Sequence, residues 1–415
     1  MTAFSIFKRS LNHYAGNALK VLLALPAIAL AHIVPRDRGR IVAGAWHGRL
    51  YADNSKYFVE WLLAHTDIKV TWVGNEEVKE LLPKHPRLSF AKKDTFKAWF
   101  ALLRSRYAVC CCMANNDLAS YNIRGLSTII DLWHGTPLKR IGELSLDGGY
   151  KDTFLGRLYT KVFLGSIEWA TVSNERMKQF LSAGFPDTFS NKQMLPFGTP
   201  RCDFLVKNRD NAELIASLKE KVRKLLGIGE GKRIVSYLPT WRGANMPVFT
   251  FYGLSEEEQR KIKNVLDAAD AVLVEQHHFH TYERFSPPEQ SICSNVVTFE
   301  KKRLVDVQEL LLATDILICD YSSVYIDFGL LERPCIHFVY DIDEYGNKDS
   351  GLAYDLEQVA AGPIVQPLSS LLLTLSELLA APVFRPAPRF RELVEFETGH
   401  SCEQLVHFMG IESHD

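Results

Sequence analysis

At 415 residues, 47% apolar and 23% charged, the chain is too long for one ordinary core and too apolar for wholesale disorder, so two α/β domains are expected. A formal net charge of −1 removes the global basic field that recruits nucleic acid. The eight cysteines lack metal-type spacing, and the adjacent Cys110, Cys111 and Cys112 sit in an apolar run, so they read as buried strand residues in a reducing compartment rather than as a disulfide framework.

Residues 4–40 stand apart. A basic start at Lys8 and Arg9 leads into an apolar stretch, 19–34, which is broken by Pro26 and followed by Arg36, Arg38 and Arg40. Spanning a bilayer takes about 20 apolar residues. A secretory signal would carry its small-residue cleavage site after the apolar run, whereas Ala29-Leu30-Ala31 lies inside it. The segment is expected to lie in the membrane interface with its cations at anionic head groups, and a buried helical hairpin is the alternative.

From residue 41 strands and helices alternate, which implies parallel sheets covered on both faces. Strands are expected at 41–45, 70–73 and 107–113, with Asp53, Asn54 and Ser55 supplying caps for a helix over 56–64. A strand at 127–133 delivers His134-Gly135-Thr136-Pro137-Leu138-Lys139. Thr136 as N-cap and Pro137 at the first helical position predict a helix there. His134 then sits at a strand's carboxyl end, where open α/β sheets bind ligands and where a His can move a proton near neutral pH. A His that only orients the turn is the plainer reading.

The turn-rich stretch 195–204 marks a domain boundary near 200–210, and a helix follows over 210–226. Strand 233–238 ends in Pro239-Thr240-Trp241-Arg242, where an arginine fork suits a phosphate or fixes the loop. Strand 271–275 runs into Gln276-His277-His278-Phe279-His280. No acidic or thiol ligand stands at a supporting spacing, so one functional His is favoured over zinc. The stretch 316–340 reads as strand, helix, strand, with Asp320, Ser322 and Ser323 at the helix start. Hydroxyls and free N–H groups there favour an anion such as a phosphate, although a plain capped crossover helix reads the same way. A last strand near 361–365, a helix over 368–379 and a Pro-rich hinge lead to a terminal helix.

Trp133-His134-Gly135-Thr136-Pro137-Leu138-Lys139, Pro239-Thr240-Trp241-Arg242 and Asp320-Tyr321-Ser322-Ser323 with Asp327 occur in the same order in the CDP-glycerol glycerophosphotransferases of teichoic acid synthesis, which the chain resembles over about 41–405. Gly48 to Asn54, followed by Trp72-Val73, is similar to their first domain. The resemblance implies two Rossmann-like domains facing a cleft, of glycosyltransferase-B type. The divisions are 1–38 for a membrane-associating helical segment, 39–205 for the acceptor side with the catalytic His, 206–385 for the CDP-polyol donor, and 386–415 for a helix crossing back to the first domain.

It further implies transfer of glycerol phosphate from CDP-glycerol to a lipid-linked saccharide at the cytoplasmic membrane face, in the manner of a compact primase. His134 would be the base and His277 the second His, steadying the phosphates or the leaving CMP. Arg242, Thr240, Asp320, Ser322, Ser323 and Asp327 fall to the donor side. Gly135, Thr136, Lys139, Asp53 and Asn54 fall to a supporting or acceptor side. No metal ligand is assigned. Mg2+ stays open, because helix N–H groups and basic side chains do similar electrostatic work. An oligomer is compatible with the sequence.

Two departures stand out. Glu275 and His278 flank the second His where the family carries a basic residue and Pro, and Thr398-Gly399-His400-Ser401-Cys402 replaces its Asp-Gly-Lys-Ala-Ser signature. The alternatives are a CDP-ribitol transferase or capsule polymerase, a sugar-nucleotide glycosyltransferase of the same fold, and a non-catalytic membrane scaffold.

Overall fold

The computed structural model describes residues 29–30, 33–120, 125–144, 167–186, 188–189, 193–240, 248–277, 293–299, 306–342 and 352–414. Most of the expected membrane segment lies outside these residues, as do Trp241, Arg242, His278 and His280. No helix among the described residues is long and apolar enough to cross a membrane.

Two all-parallel sheets carry the fold. The first runs β3-β2-β1-β4-β5-β6-β7, built from β1 (Asp37–Ala43), β2 (Lys69–Gly74), β3 (Leu88–Lys92), β4 (Ser105–Cys110), β5 (Thr128–Asp131), β6 (Ile167–Thr171) and β7 (Met194–Leu195). The second runs β10-β9-β8-β11-β12-β13, built from β8 (Arg233–Tyr237), β9 (Ala271–Glu275), β10 (Val296–Thr298), β11 (Ile316–Cys319), β12 (Cys335–Phe338) and β13 (Ile364–Val365). Ile41 pairs with Val70 on one side and Tyr107 on the other, and Val235 lies between Leu273 and Ile316. Ala271–Glu275 is buried along its whole length, as a strand covered on both faces must be, so its apolar run does not alternate. In each sheet the strand order reverses once, between β1 and β4 and between β8 and β11. Ligands of open α/β sheets sit beyond the strand ends at such reversals.

Three local expectations change. Thr136-Pro137 starts no helix. Leu138 is drawn into the core of the second sheet, its carbonyl accepts the Ala353 N–H (2.8 Å), and Lys139 pairs antiparallel with Leu352. Asp53, Asn54 and Ser55 fall inside the helix Asp53–His65, whose N-cap is Ala52, and their side chains leave to make distant contacts. The boundary stretch contains a helix, Pro200–Asn208, with Pro200 in its first turn. The terminal helix Ser401–Met409 places Cys402, Leu405, Val406 and Met409 in the core of the first sheet.

Candidate active site

His134 emerges just beyond β5. Asn54 holds the turn from below, its side-chain amide donating to the Leu132 and Trp133 carbonyls (3.0 and 2.8 Å). Trp133, at φ 56°, stacks its ring on the imidazole with centroids 4.9 Å apart. Asp131 beneath accepts the Trp133 and Met113 N–H groups, and burial pushes its carboxyl up to about 7. The His134 Nδ1 lies 2.7 Å from the Cys111 carbonyl. A carbonyl only accepts, so Nδ1 carries a hydrogen, and Nε2 has a lone pair only when the ring is neutral. Burial opposes the imidazolium, but Cys112, Asp53 and the Cys111 carbonyl outweigh it and raise the His134 pKa to about 10. Cys112 shifts the other way, drawn down first by its neighbour Cys111 and then by His134 despite burial.

The next residue, Gly135, marks the seam between the halves. At φ +136° a side chain there would already be strained, and its Cβ would fall 2.9 Å from Ser323 Oγ and 3.0 Å from Arg201 Nη2. The His134 turn and the Ser322-Ser323 segment are therefore in contact. Thr136 is buried, with its hydroxyl 2.7 Å from that of Ser173, and Lys139 belongs to the crossing strand pair.

Arg201 is the site residue that the sequence did not single out. Its Nη1 donates to Asp53 Oδ1 (2.9 Å) and to the His134 carbonyl (2.7 Å). Nη2 donates to Asp327 Oδ1 (3.2 Å), and Nε lies 2.9 Å from Asp327 Oδ2. Its backbone N–H donates to Asn54 Oδ1. Burial works against this guanidinium, but Asp327 and Asp53 hold it charged. Asp327 Oδ2 also accepts from Gln308 Nε2 (2.9 Å), so both carboxylate oxygens are engaged within the protein. A second tie lies nearby. Lys56 Nζ and the Tyr57 hydroxyl reach the two oxygens of Asp306 at 3.0 and 2.5 Å.

In the second half, Asp320 organises the strand-end loops. Its Oδ1 accepts the Thr240 N–H (2.9 Å), the Thr240 hydroxyl (2.6 Å) and the Ser322 N–H (3.2 Å), joining the loop after β8 to that after β11. Ser322 and Ser323 are half-buried. Ser323 has helical backbone angles and makes no side-chain cap, so its hydroxyl is directed at the Gly135 side rather than at the short helix Val324–Gly329. His277 follows β9, two strand spacings or about 10 Å from the β11 loop, with Nε2 2.6 Å from Glu275 Oε1. Glu275 is thus a buried partner of His277. Arg242 lies outside the described residues.

Two three-residue groups have metal-like proximity among the described residues, Cys319/Cys335/His337 and Cys111/Cys112/Asp117. Neither fits Mg2+, which takes oxygen ligands. Asp117 already accepts N–H groups from His47, Cys111 and Cys112, and both His337 ring nitrogens are engaged with backbone.

Known proteins resemble this chain in sequence and fold. The chain is 26% identical over 383 residues to the teichoic acid glycerol-phosphate transferase of Staphylococcus aureus, covering 89% of both chains. It is 26% identical over 392 residues to the teichoic acid poly(glycerol phosphate) polymerase of Bacillus subtilis, covering 91% of this chain but 49% of that one. Its fold matches the solved wall teichoic acid polymerase TagF at a TM-score of 0.72 and 21% identity, over 99% of this chain and 98% of that one. The family description CDP-glycerol:poly(glycerophosphate) glycerophosphotransferase fits residues 27–408, and the chain is an enzyme belonging to that family.

Proposed function

We propose that the protein transfers glycerol phosphate from CDP-glycerol to a hydroxyl of a membrane lipid-linked saccharide, releasing CMP, and that it acts as a primase adding one or a few units. The observation that carries this reading is the contact at Gly135, which sets a His turn with a fixed tautomer against two serines at a helix start. The half before about residue 205 would take the acceptor and the half after it the donor. His134 Nε2 accepts the hydroxyl proton as the acceptor oxygen attacks the glycerol-bearing phosphorus. The bond from that phosphorus to the CMP oxygen breaks, and CMP leaves with the electron pair.

Ser322 and Ser323 hold the diphosphate, with Asp320 fixing their loop against Thr240, and His277 steadies the leaving CMP while Glu275 orients its ring. Arg242 is assigned to the same phosphates from its sequence position alone. Asp53, Asn54 and Asp327 act through Arg201 and the His134 turn. The primase reading is supported by likeness to the teichoic acid glycerol-phosphate primase of Bacillus spizizenii, 26% identical over 378 residues. The segment 1–38 is assigned to the cytoplasmic membrane surface.

The test is CMP release from CDP-glycerol with a synthetic lipid-linked disaccharide. Acceptor-dependent release is expected. Release from CDP-ribitol alone replaces the donor, and no turnover with either by a folded enzyme removes the reading in favour of a sugar nucleotide.

A further inference from the structure

We infer that Arg201 is a positioning residue for this reaction, the group that sets the His134 turn at its working distance from Ser323; the inference rests on the function proposed above. Three pieces of chain that are far apart in sequence converge on one planar fork. They are the start of the helix Asp53–His65, the turn at the end of β5, and Asp327 in the helix after β11. The first two belong to the first sheet and the third to the second, so the guanidinium holds the two faces of the cleft in register.

The bond to the His134 carbonyl reaches the reacting residue's own backbone. The edge carrying Nη2 lies beside the place where Gly135 leaves no room for a side chain, next to Ser323 Oγ. A shift of the fork therefore moves His134 relative to the serines, and it does so without touching the Asp320–Thr240 contacts that shape the donor loop. Lysine cannot replace it, since one ammonium on a flexible stem cannot meet Asp53, Asp327 and the His134 carbonyl from a fixed plane. The separate tie of Lys56 and Tyr57 to Asp306 keeps the halves joined when the fork is altered, so a positioning role can be separated from a structural one.

The experiment is steady-state CMP release by the full chain with both substrates varied. For Arg201→Lys, kcat is expected to fall about 100-fold, while the KM for CDP-glycerol changes by less than roughly twofold and unfolding stays a single transition. Arg201→Gly supplied with methylguanidinium is expected to regain about tenfold of its lost kcat. An Arg201→Lys enzyme with the original kcat, or a folded Arg201→Gly enzyme indifferent to methylguanidinium, overturns the inference. If Arg201→Gly does not fold, Asp53→Asn takes its place, because it keeps the Asp327 pairing and strips the charge from one anchor. It is expected to lower kcat about tenfold with the donor KM unchanged, and an unaltered kcat overturns the inference equally. Failure of the unsubstituted enzyme to release CMP from CDP-glycerol defeats the proposed function instead, and is read before any variant is made.

Discussion

In the second half of the cleft the strand-end loop is fastened from within its own sheet. Asp320 bonds to Thr240 and Ser322, and the wholly buried His337 donates from Nδ1 to the Asp320 carbonyl while Nε2 accepts the Ala361 N–H. In the first half the His134 turn is fastened by Asn54 of the helix after β1 and by Arg201, which also reaches Asp327 of the opposite half. The loop of the second half is thus fastened within that half, whereas one of the groups that fasten the His turn, Arg201, also spans the seam. Substitutions in the second half should act through donor affinity, and those at the seam through turnover.

The sharpest test of that division is His134→Ala, expected to lower kcat by about 10²–10⁴-fold with little change in the donor KM. Next comes Gly135→Ala, whose Cβ must push Ser323 and Arg201 aside. It should fold and lose about 100-fold in kcat, and an unimpaired rate would mean that the seam is looser in the working enzyme. Asp320→Ala belongs to the other half. Three donors lose their acceptor, so the KM for CDP-glycerol should rise about tenfold and urea unfolding should report a loss of about 1–3 kcal/mol. A fall in kcat alone would erase the distinction between the halves.

The smallest effect concerns protons. In the proposed reaction only neutral His134 can accept one, and its pKa is raised to about 10, with Cys112 the leading upward influence. CMP release should therefore climb with pH through neutrality towards that value. Cys112→Ser removes the group that most favours the imidazolium and lowers the His134 pKa, so the rising limb should move by about one unit to lower pH. A limb that stays in place would remove Cys112 from the proton chemistry.

The strands were legible because their signal is local. Ala271–Glu275 and Ile316–Cys319 are short apolar runs that end at polar loops, and the family motifs stand on those loops. The seam was not legible. Arg201 occurs in Thr-Pro-Arg-Cys-Asp, which looks like a solvated turn, and its carboxylate partners are 148 and 126 residues away. Thr199-Pro200 did carry a signal for the helix, since Pro at a first turn after a Thr is a common start. The same pair at Thr136-Pro137 makes no helix, because burial of Leu138 in the other sheet's core outweighs the local preference. Asp53, Asn54 and Ser55 marked a helix start within a few residues, but nothing nearby revealed that their side chains would serve Arg201, the His134 turn and the Gly44 carbonyl instead.

The return of the helix Ser401–Met409 to the first sheet has a consequence for synthesis. Asp203 caps that helix through the Ser401 and Cys402 N–H groups, and its apolar face lies against strands that left the ribosome more than two hundred residues earlier. At about 5–20 residues per second, the delay is on the order of 10–40 seconds. For that interval the part of the first sheet's apolar face that this helix covers stays open, while the second sheet can finish folding. The half that is made first is therefore completed last, and its exposed face is where a chaperone would be needed on the translating ribosome.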